Sequence, residues 1–181
     1  MPDLDQSALQ RALDEIELRN LYFRYARGVD RLDPDLLRSC FHEDAYITTR
    51  NREVRDDFVK NVMVGLSRFK MTQHVTTNVW VEIDGDTAKG EAYAQANHRA
   101  PGENGEPDTD YRWGGRYVDR FERRDGVWKF SDRVVIHDMD RVVKVDEVWD
   151  PPGLGFTEGS HSTDDIVYSE WGKESHPGGA S

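Results

Sequence analysis

Four polar side chains fall where the surrounding pattern asks for apolar ones, and their types define the chemistry open to this chain. Asp30 sits on the last turn of a long helical stretch, one residue after Val29 and four after Ala26. A carboxylate there opposes the helix dipole, so some other partner should hold it. His74 begins the first long strand-like run, on one face with Thr76, Asn78 and Trp80. Arg133 interrupts the final run between Phe130 and Val134, and Tyr25 carries a hydroxyl into an apolar helix stripe. An imidazole beside a carboxylate is a general base, a phenol can donate a proton, and a guanidinium can steady developing negative charge. Singly, each also has an ordinary structural role, as a solvated helix-end acid or a satisfied strand histidine.

Other site signatures are weak. There is no P-loop, and the Gly153–Gly155–Gly159 cluster lacks a strand before it and a helix after it, so nucleotide binding is not expected. His42-Glu43-Asp44 and His137-Asp138 carry metal-ligand types. Each needs a distant partner to make a site. The favoured reading is a solvated turn for the first and a strand end for the second, and no metal is assigned. No Ser or Cys sits in a nucleophile elbow, and Gly114-Gly115 carries no nucleophile.

The elements that must position these residues follow from periodicity. Asp5 to Asp33 is helical, with Leu9, Leu13, Ile16, Asn20 and Phe23 in one stripe and Leu18, Tyr22, Tyr25, Val29 and Leu32 in its neighbour. Two adjacent stripes predict a broad face lying on a sheet. Asp33-Pro34 reads as an N-cap and first residue of a short helix through Cys40, followed by a brief strand near Ala45 to Thr49. Residues 55–69 form a third helix with Phe58, Val62 and Leu66 inward. The period then changes to two. Strands are expected at 73–83 and 87–98 around an Asp84-Gly85-Asp86 turn, the second with Ala88, Gly90, Ala92, Ala94 and Ala96 on one face. A polar loop over 99–109 leads to a long hairpin that turns at Asp125-Gly126. Helices followed by four long antiparallel strands make an α+β layout.

The segment EIELRNLYFRYARGVDRLDPDLLRSCFHEDA closely resembles the opening of the SnoaL-like branch of the nuclear-transport-factor-2-like superfamily, and GGRYVDRFERRDGVWKFSDR is similar to its last two strands. The resemblance covers roughly residues 8–140. It implies a cone-shaped, strongly curved antiparallel sheet wrapped around N-terminal helices, an α+β barrel with a deep, mostly apolar pocket. Asp30 in Gly-Val-Asp and His74 in Gln-His-Val-Thr-Thr-Asn match the Asp–His dyad of the family's lindane dehydrochlorinase and bile-acid 7α-dehydratase members, and Arg133 matches a pocket arginine. Tyr25 falls where the dehydrochlorinase has lysine and the bile-acid dehydratase tyrosine, which favours an oxygen leaving group over chloride. At ~100° per residue an ideal helix puts Tyr25 and Asp30 about 140° apart, so both reach one pocket only if it wraps the helix end.

The resemblance therefore implies a cofactor-independent lyase with His74, Asp30, Tyr25 and Arg133 as its catalytic set. Tyr22, Asn78, Trp80, His98 and Trp113 are the expected substrate contacts. The substrate class it implies is a small hydrophobic molecule of the lignin-derived aromatic kind, losing water or, as in the family's diarylpropane lyases, formaldehyde. A ketosteroid-type isomerase and a non-catalytic binding or dioxygenase small-subunit-like protein are the alternatives. The resemblance also implies a homo-oligomer, a trimer joined through the outer sheet face.

Composition bounds these readings. The 181 residues suit one domain, and 10% aromatic content supports a folded core despite a mean hydropathy of −0.81. A net charge of −11 opposes coating of nucleic acid or anionic membrane. With one cysteine, Cys40, no apolar membrane span and a polar N-terminus, a cytoplasmic location is expected. The charge is uneven. Residues 145–181 hold eight acids and one base, so residues 1–144 are nearly balanced. The expected organisation is a domain over 1–144 and an acidic Gly/Pro-rich tail over 145–181, anchored through Trp149, Phe156, Tyr168 and Trp171.

Overall fold

The computed structural model describes residues 5–145 and 159–169. Its first helix, α1 (Gln6–Asp30), starts where the Asp5 side chain accepts a hydrogen bond from the Ser7 N–H at 2.9 Å. Only one of its apolar stripes lies on the sheet: Leu18, Leu21, Tyr22, Tyr25 and Val29 are buried. Leu9, Leu13, Ile16 and Phe23 are about half exposed, so the expected double-width face is corrected to a single one. Asp14 takes the place of the second stripe, buried because it accepts from the Trp128 indole N–H at 3.0 Å and pairs with Arg123 at 2.9 Å.

Helix α2 (Pro34–Ser39) follows a sharp corner, with Asp33 capping the Leu36 N–H at 2.9 Å and proline at the start. Gly28 eases the close approach at this corner, since a Cβ there would come within 3.0 Å of the Leu37 backbone nitrogen. Strand β1 (Phe41–Thr48) begins earlier than its apolar core suggests, because Phe41, Ala45 and Ile47 are all fully buried. His42, expected in a solvated turn, is instead buried within β1 and donates from Nε2 to the Glu122 carbonyl at 2.9 Å. Strand β2 (Arg52–Val54) leads into α3 (Arg55–Leu66).

Four long strands complete the sheet: β3 (Met71–Asp84), β4 (Thr87–Ala100), β5 (Thr109–Arg124) and β6 (Val127–Lys144). The six-stranded sheet has the order β2-β1-β6-β5-β4-β3, and its neighbours are antiparallel except β1 with β6. The tight β5–β6 turn places Asp125 and Gly126 at φ 51° and 80°, as a type I′ turn requires. The sheet is curved and unclosed, and with the N-terminal helices it forms the expected cone. The small side chains of β4 allow α1 to lie close: at Gly90 a Cβ would meet the Tyr22 hydroxyl at 3.0 Å.

Register shifts along the long strands, one between β3 and β4 and two between β5 and β6, decide which side chains face inward. On β3 the register slips between Thr77 and Trp80, with Asn78 at φ 50°. Before the bulge Thr72, His74 and Thr76 face inward; beyond it Val79, Val81 and Ile83 do. Across β5–β6 the register slips at Arg120/Phe121, so the inward set on β6 changes from Trp128 and Phe130 to Arg133 and Val135.

A short helix, α4 (Ile166–Ser169), lies in the described part of the C-terminal segment. The Tyr168 hydroxyl donates to Asp33 at 2.9 Å, Arg27 stacks over its ring at 5.0 Å, and Arg31 lies 3.6 Å from Asp165. Residues 159–169 are thus packed against the end of α1. Trp149, Phe156 and Trp171 fall outside the described residues. Among those described, no helix is long and apolar enough to cross a membrane.

Candidate active site

A cavity of about 740 Å³ opens between the end of α1, α3 and the inner face of β3–β6. Helix α3 supplies an apolar wall of Phe58, Val62 and Leu66, and the sheet supplies Trp113, Tyr117 and Val135. Tyr25, His74, His98 and Trp113 line it, four of the side chains expected at the site.

The carboxylate at the end of α1 has found its partners on β3. Asp30 Oδ1 accepts from His74 Nδ1–H at 2.6 Å and from the Thr72 hydroxyl at 2.8 Å, and Oδ2 accepts from the His74 backbone N–H at 2.8 Å. Burial alone would raise the Asp30 carboxyl, but the hydrogen bonds from His74 and Thr72 hold it below its ordinary 3.8. Asp30 is therefore ionised and accepts only. Nδ1 must carry the proton, which leaves Nε2 as the ring nitrogen with a free lone pair. His98 stands edge-on to His74, with ring centroids 5.2 Å apart. Burial, reinforced by the neighbouring His74 ring, pushes His98 down to about 4, so it is neutral at pH 7. Among the described residues no cluster of three His, Cys, Asp or Glu side chains is placed to hold a metal.

Tyr25 is buried at the cavity wall, edge-on to Tyr117 at 5.5 Å. Burial raises its hydroxyl pKa, against the pull of Arg133, so it remains a protonated donor. Arg133 itself does not reach the cavity, which corrects its expected contact with substrate. It is fully buried behind the tyrosines, 4.2 Å from both the Tyr25 and Tyr117 ring centroids and bound by two hydrogen bonds to Asp119 at 2.7 and 3.0 Å. Burial would lower the guanidinium pKa, but Asp119 raises it above its ordinary value, so the cation persists beneath the rings.

Three further expectations need correction. Tyr22 is fully buried in the core against Phe121 and Phe130 rather than at the cavity. Asn78 and Trp80 are exposed on the opposite sheet face, because the bulge at Asn78 ends the alternation that joined them to His74. Conversely, Tyr117, Asp119 and His137 were not singled out for the site. Tyr117 and Asp119 share the odd-numbered inward phase of Trp113 and Phe121 on β5, a legible signal. His137 lines the cavity 5.4 Å from Trp113 and pairs with Asp140 at 3.4 Å. Its inward position depends on the register shift at Arg120/Phe121, which nothing nearby in the sequence announces.

The C-terminal segment reaches the same corner. His161 donates from Nδ1 to the Asp30 carbonyl at 2.7 Å, and its Nε2 lies 3.3 Å from the Leu66 carbonyl. The ring thus spans the ends of α1 and α3 beside the dyad.

The profile described as "SnoaL-like domain" matches residues 10–134. No curated protein matches the chain. Among solved structures, the hexachlorocyclohexane dehydrochlorinase LinA Type2 is 24% identical with a TM-score of 0.68, over 81% of this chain and 99% of that one. Kfla4162 from Kribbella flavida is 23% identical with a TM-score of 0.67, over 72% and 95%. A candidate scytalone dehydratase from Novosphingobium aromaticivorans is 22% identical with a TM-score of 0.64, over 82% and 97%. At these identities the likeness is one of fold.

Proposed function

Because this chain belongs to the SnoaL-like domain family, whose fold builds a pocket inside a cone, we propose that it is a cofactor-independent lyase working through Asp30 and His74. The observation that carries this reading is the 2.6 Å contact between His74 Nδ1 and Asp30 Oδ1 at the wall of an apolar cavity. His74 Nε2 removes a proton from the substrate, and Asp30 stabilises the imidazolium that forms. The electron pair released forms the new double bond and expels an oxygen-linked group. Tyr25 donates its hydroxyl proton to the departing oxygen. Arg133 acts at one remove: its charge sits behind Tyr25 and Tyr117, eases formation of a tyrosinate during proton donation, and holds both rings in place. The leaving group is water or another small oxygen-linked group; where formaldehyde is also released, His74 takes the proton of a hydroxymethyl O–H, the C–C bond breaks to give formaldehyde, and its electron pair forms the double bond that expels water protonated by Tyr25. The aromatic wall suits an aromatic substrate. The reaction needs no nucleophile and no metal. Exposed apolar side chains on the outer sheet face, such as Val75, Tyr93 and Met139, support assembly into a homo-oligomer, a trimer under the family resemblance.

The test is turnover of aromatic alcohols followed by mass spectrometry in deuterated water. His74→Ala and Asp30→Asn should each reduce turnover by about 10²- to 10⁴-fold, the usual worth of a positioned base. Circular dichroism should show both variants folded. Loss of water or formaldehyde from the substrate supports elimination, whereas deuterium incorporation with an otherwise unchanged product indicates an isomerase. Full turnover in both variants would remove the dyad from the mechanism.

A further inference from the structure

We infer that the substrate carries a carboxylate, held at the cavity mouth by Arg50 and Arg68 while its aromatic body lies between them and His74. This deepens the lyase reading and rests on it for the identity of the reacting end. Arg50 comes from the turn between β1 and β2, and Arg68 from the residues just after α3. Both line the cavity and both are exposed. Neither has a carboxylate within ion-pairing distance among the described residues, although most arginines on the sheet do, including Arg99, Arg116, Arg123, Arg124 and Arg133. Arg68 is instead set over the Phe69 ring, 5.3 Å from its centroid.

The mouth is cationic in a chain whose net charge is −11. A smaller depression that adjoins the cavity shares Arg50, His98, Trp113 and His137 with it and adds Arg112 and Arg141. Arg112 is bound to Asp110 at 3.3 Å, while Arg141 has no carboxylate partner among the described residues. The opposing charges are Glu103 on the loop after β4 and Asp140, the latter engaged with His137. With Arg112 and Asp110 paired, three guanidiniums, those of Arg50, Arg68 and Arg141, face the carboxylates of Glu103 and Asp140 around the opening. That field attracts a small anion and repels a cation.

The path inward is aromatic. Phe69 lies 5.2 Å from His98, which lies 5.2 Å from His74. Arg68, Phe69, His98 and His74 therefore form a continuous series from the mouth to the base. A planar ring placed along this wall has its acid at the arginines and its reacting carbon near His74 Nε2. A ligand without an anion offers the guanidiniums at most neutral acceptors, while a carboxylate accepts paired, charge-assisted bonds from their planar donors.

The experiment compares 2-naphthoate with its neutral isostere 2-naphthamide, titrated against the full chain by fluorescence. Wild type should bind the carboxylate about tenfold more tightly, a difference of about 1.4 kcal/mol. The double variant Arg50→Gln/Arg68→Gln should lose that preference while its affinity for the amide is unchanged. His74→Ala should keep the preference, which separates this proposal from the catalytic role of the dyad. Equal binding of the two ligands by wild type, binding of neither, or a preference that survives in the double variant would each overturn it. So would loss of the preference in His74→Ala, because the dyad and not the arginines would then be reading the charge.

Discussion

Two carboxylates in the cone, Asp30 and Asp119, each bind a nitrogen base across the fold and are put to opposite ends. Asp30 and His74 join the end of α1 to β3, with side chains 14% and 10% exposed. Asp119 and Arg133 face each other across β5 and β6 with no exposure at all. The first pair borders a cavity and keeps one ring nitrogen unengaged. The second is sealed under Tyr22, Tyr25, Tyr117 and Phe130, all within 5.3 Å of the guanidinium. A pair at a cavity wall can exchange a proton with a ligand. A sealed one can only order what surrounds it, at a desolvation cost that its hydrogen bonds must offset.

The contrast can be broken most forcefully at the sealed pair. Asp119→Ala leaves a buried guanidinium without its counter-ion and should destabilise the fold by about 3–5 kcal/mol. Urea denaturation measures this. A loss below about 1 kcal/mol would mean that water reaches Arg133 and that the two pairs are not so different.

An intermediate effect is expected beside the open pair, at His98. Its pKa is depressed in the fold to about 4 from an ordinary 6.5. A depressed group contributes stability that is complete above its unfolded value and is lost as pH falls toward its folded value. Wild type should therefore weaken between pH 6.5 and pH 4 relative to His98→Gln, which lacks this titration. Denaturation midpoints of both proteins at several pH values test the point, and parallel curves would contradict it.

The smallest effect concerns the bulge that separates His74 from the outer face. Asn78→Val places a branched side chain at φ 50° and should cost about 1–2 kcal/mol. Asn78→Gly should be close to neutral. Turnover by Asn78→Gly should match wild type, since position 78 faces away from the cavity; a tenfold fall would return Asn78 to the site.

Much of this arrangement is legible without coordinates because it rests on local rules. Asp33-Pro34 announces a capped helix, Asp125-Gly126 a two-residue hairpin turn, and alternation the four long strands. Asp30 signals its importance by standing at the unfavourable end of a helix dipole, and the partners this requires are Thr72 and His74. The rest was hidden where a local rule is interrupted. One extra residue in β3 turns Asn78 and Trp80 outward, and a register shift in β6 brings Arg133 and His137 inward. Asn at 78 is a faint sign, since asparagine tolerates the left-handed region. The register shift at Arg120/Phe121 has no comparable marker.

The amino-acid order by itself determined the three N-terminal helices, the four long strands and their order, the α+β class and the candidacy of Asp30, His74 and Tyr25, since capping, turn chemistry and periodicity act over a few residues. Only the tertiary structure decided which face of each strand becomes the cavity wall and which apolar stripe of α1 is covered. It also decided that Arg133 lies beneath the wall, while Arg50 and Arg68 stand at the mouth. These outcomes depend on strand register and on loops brought together across the cone, where a one-residue shift reverses every side chain and no local preference records the choice.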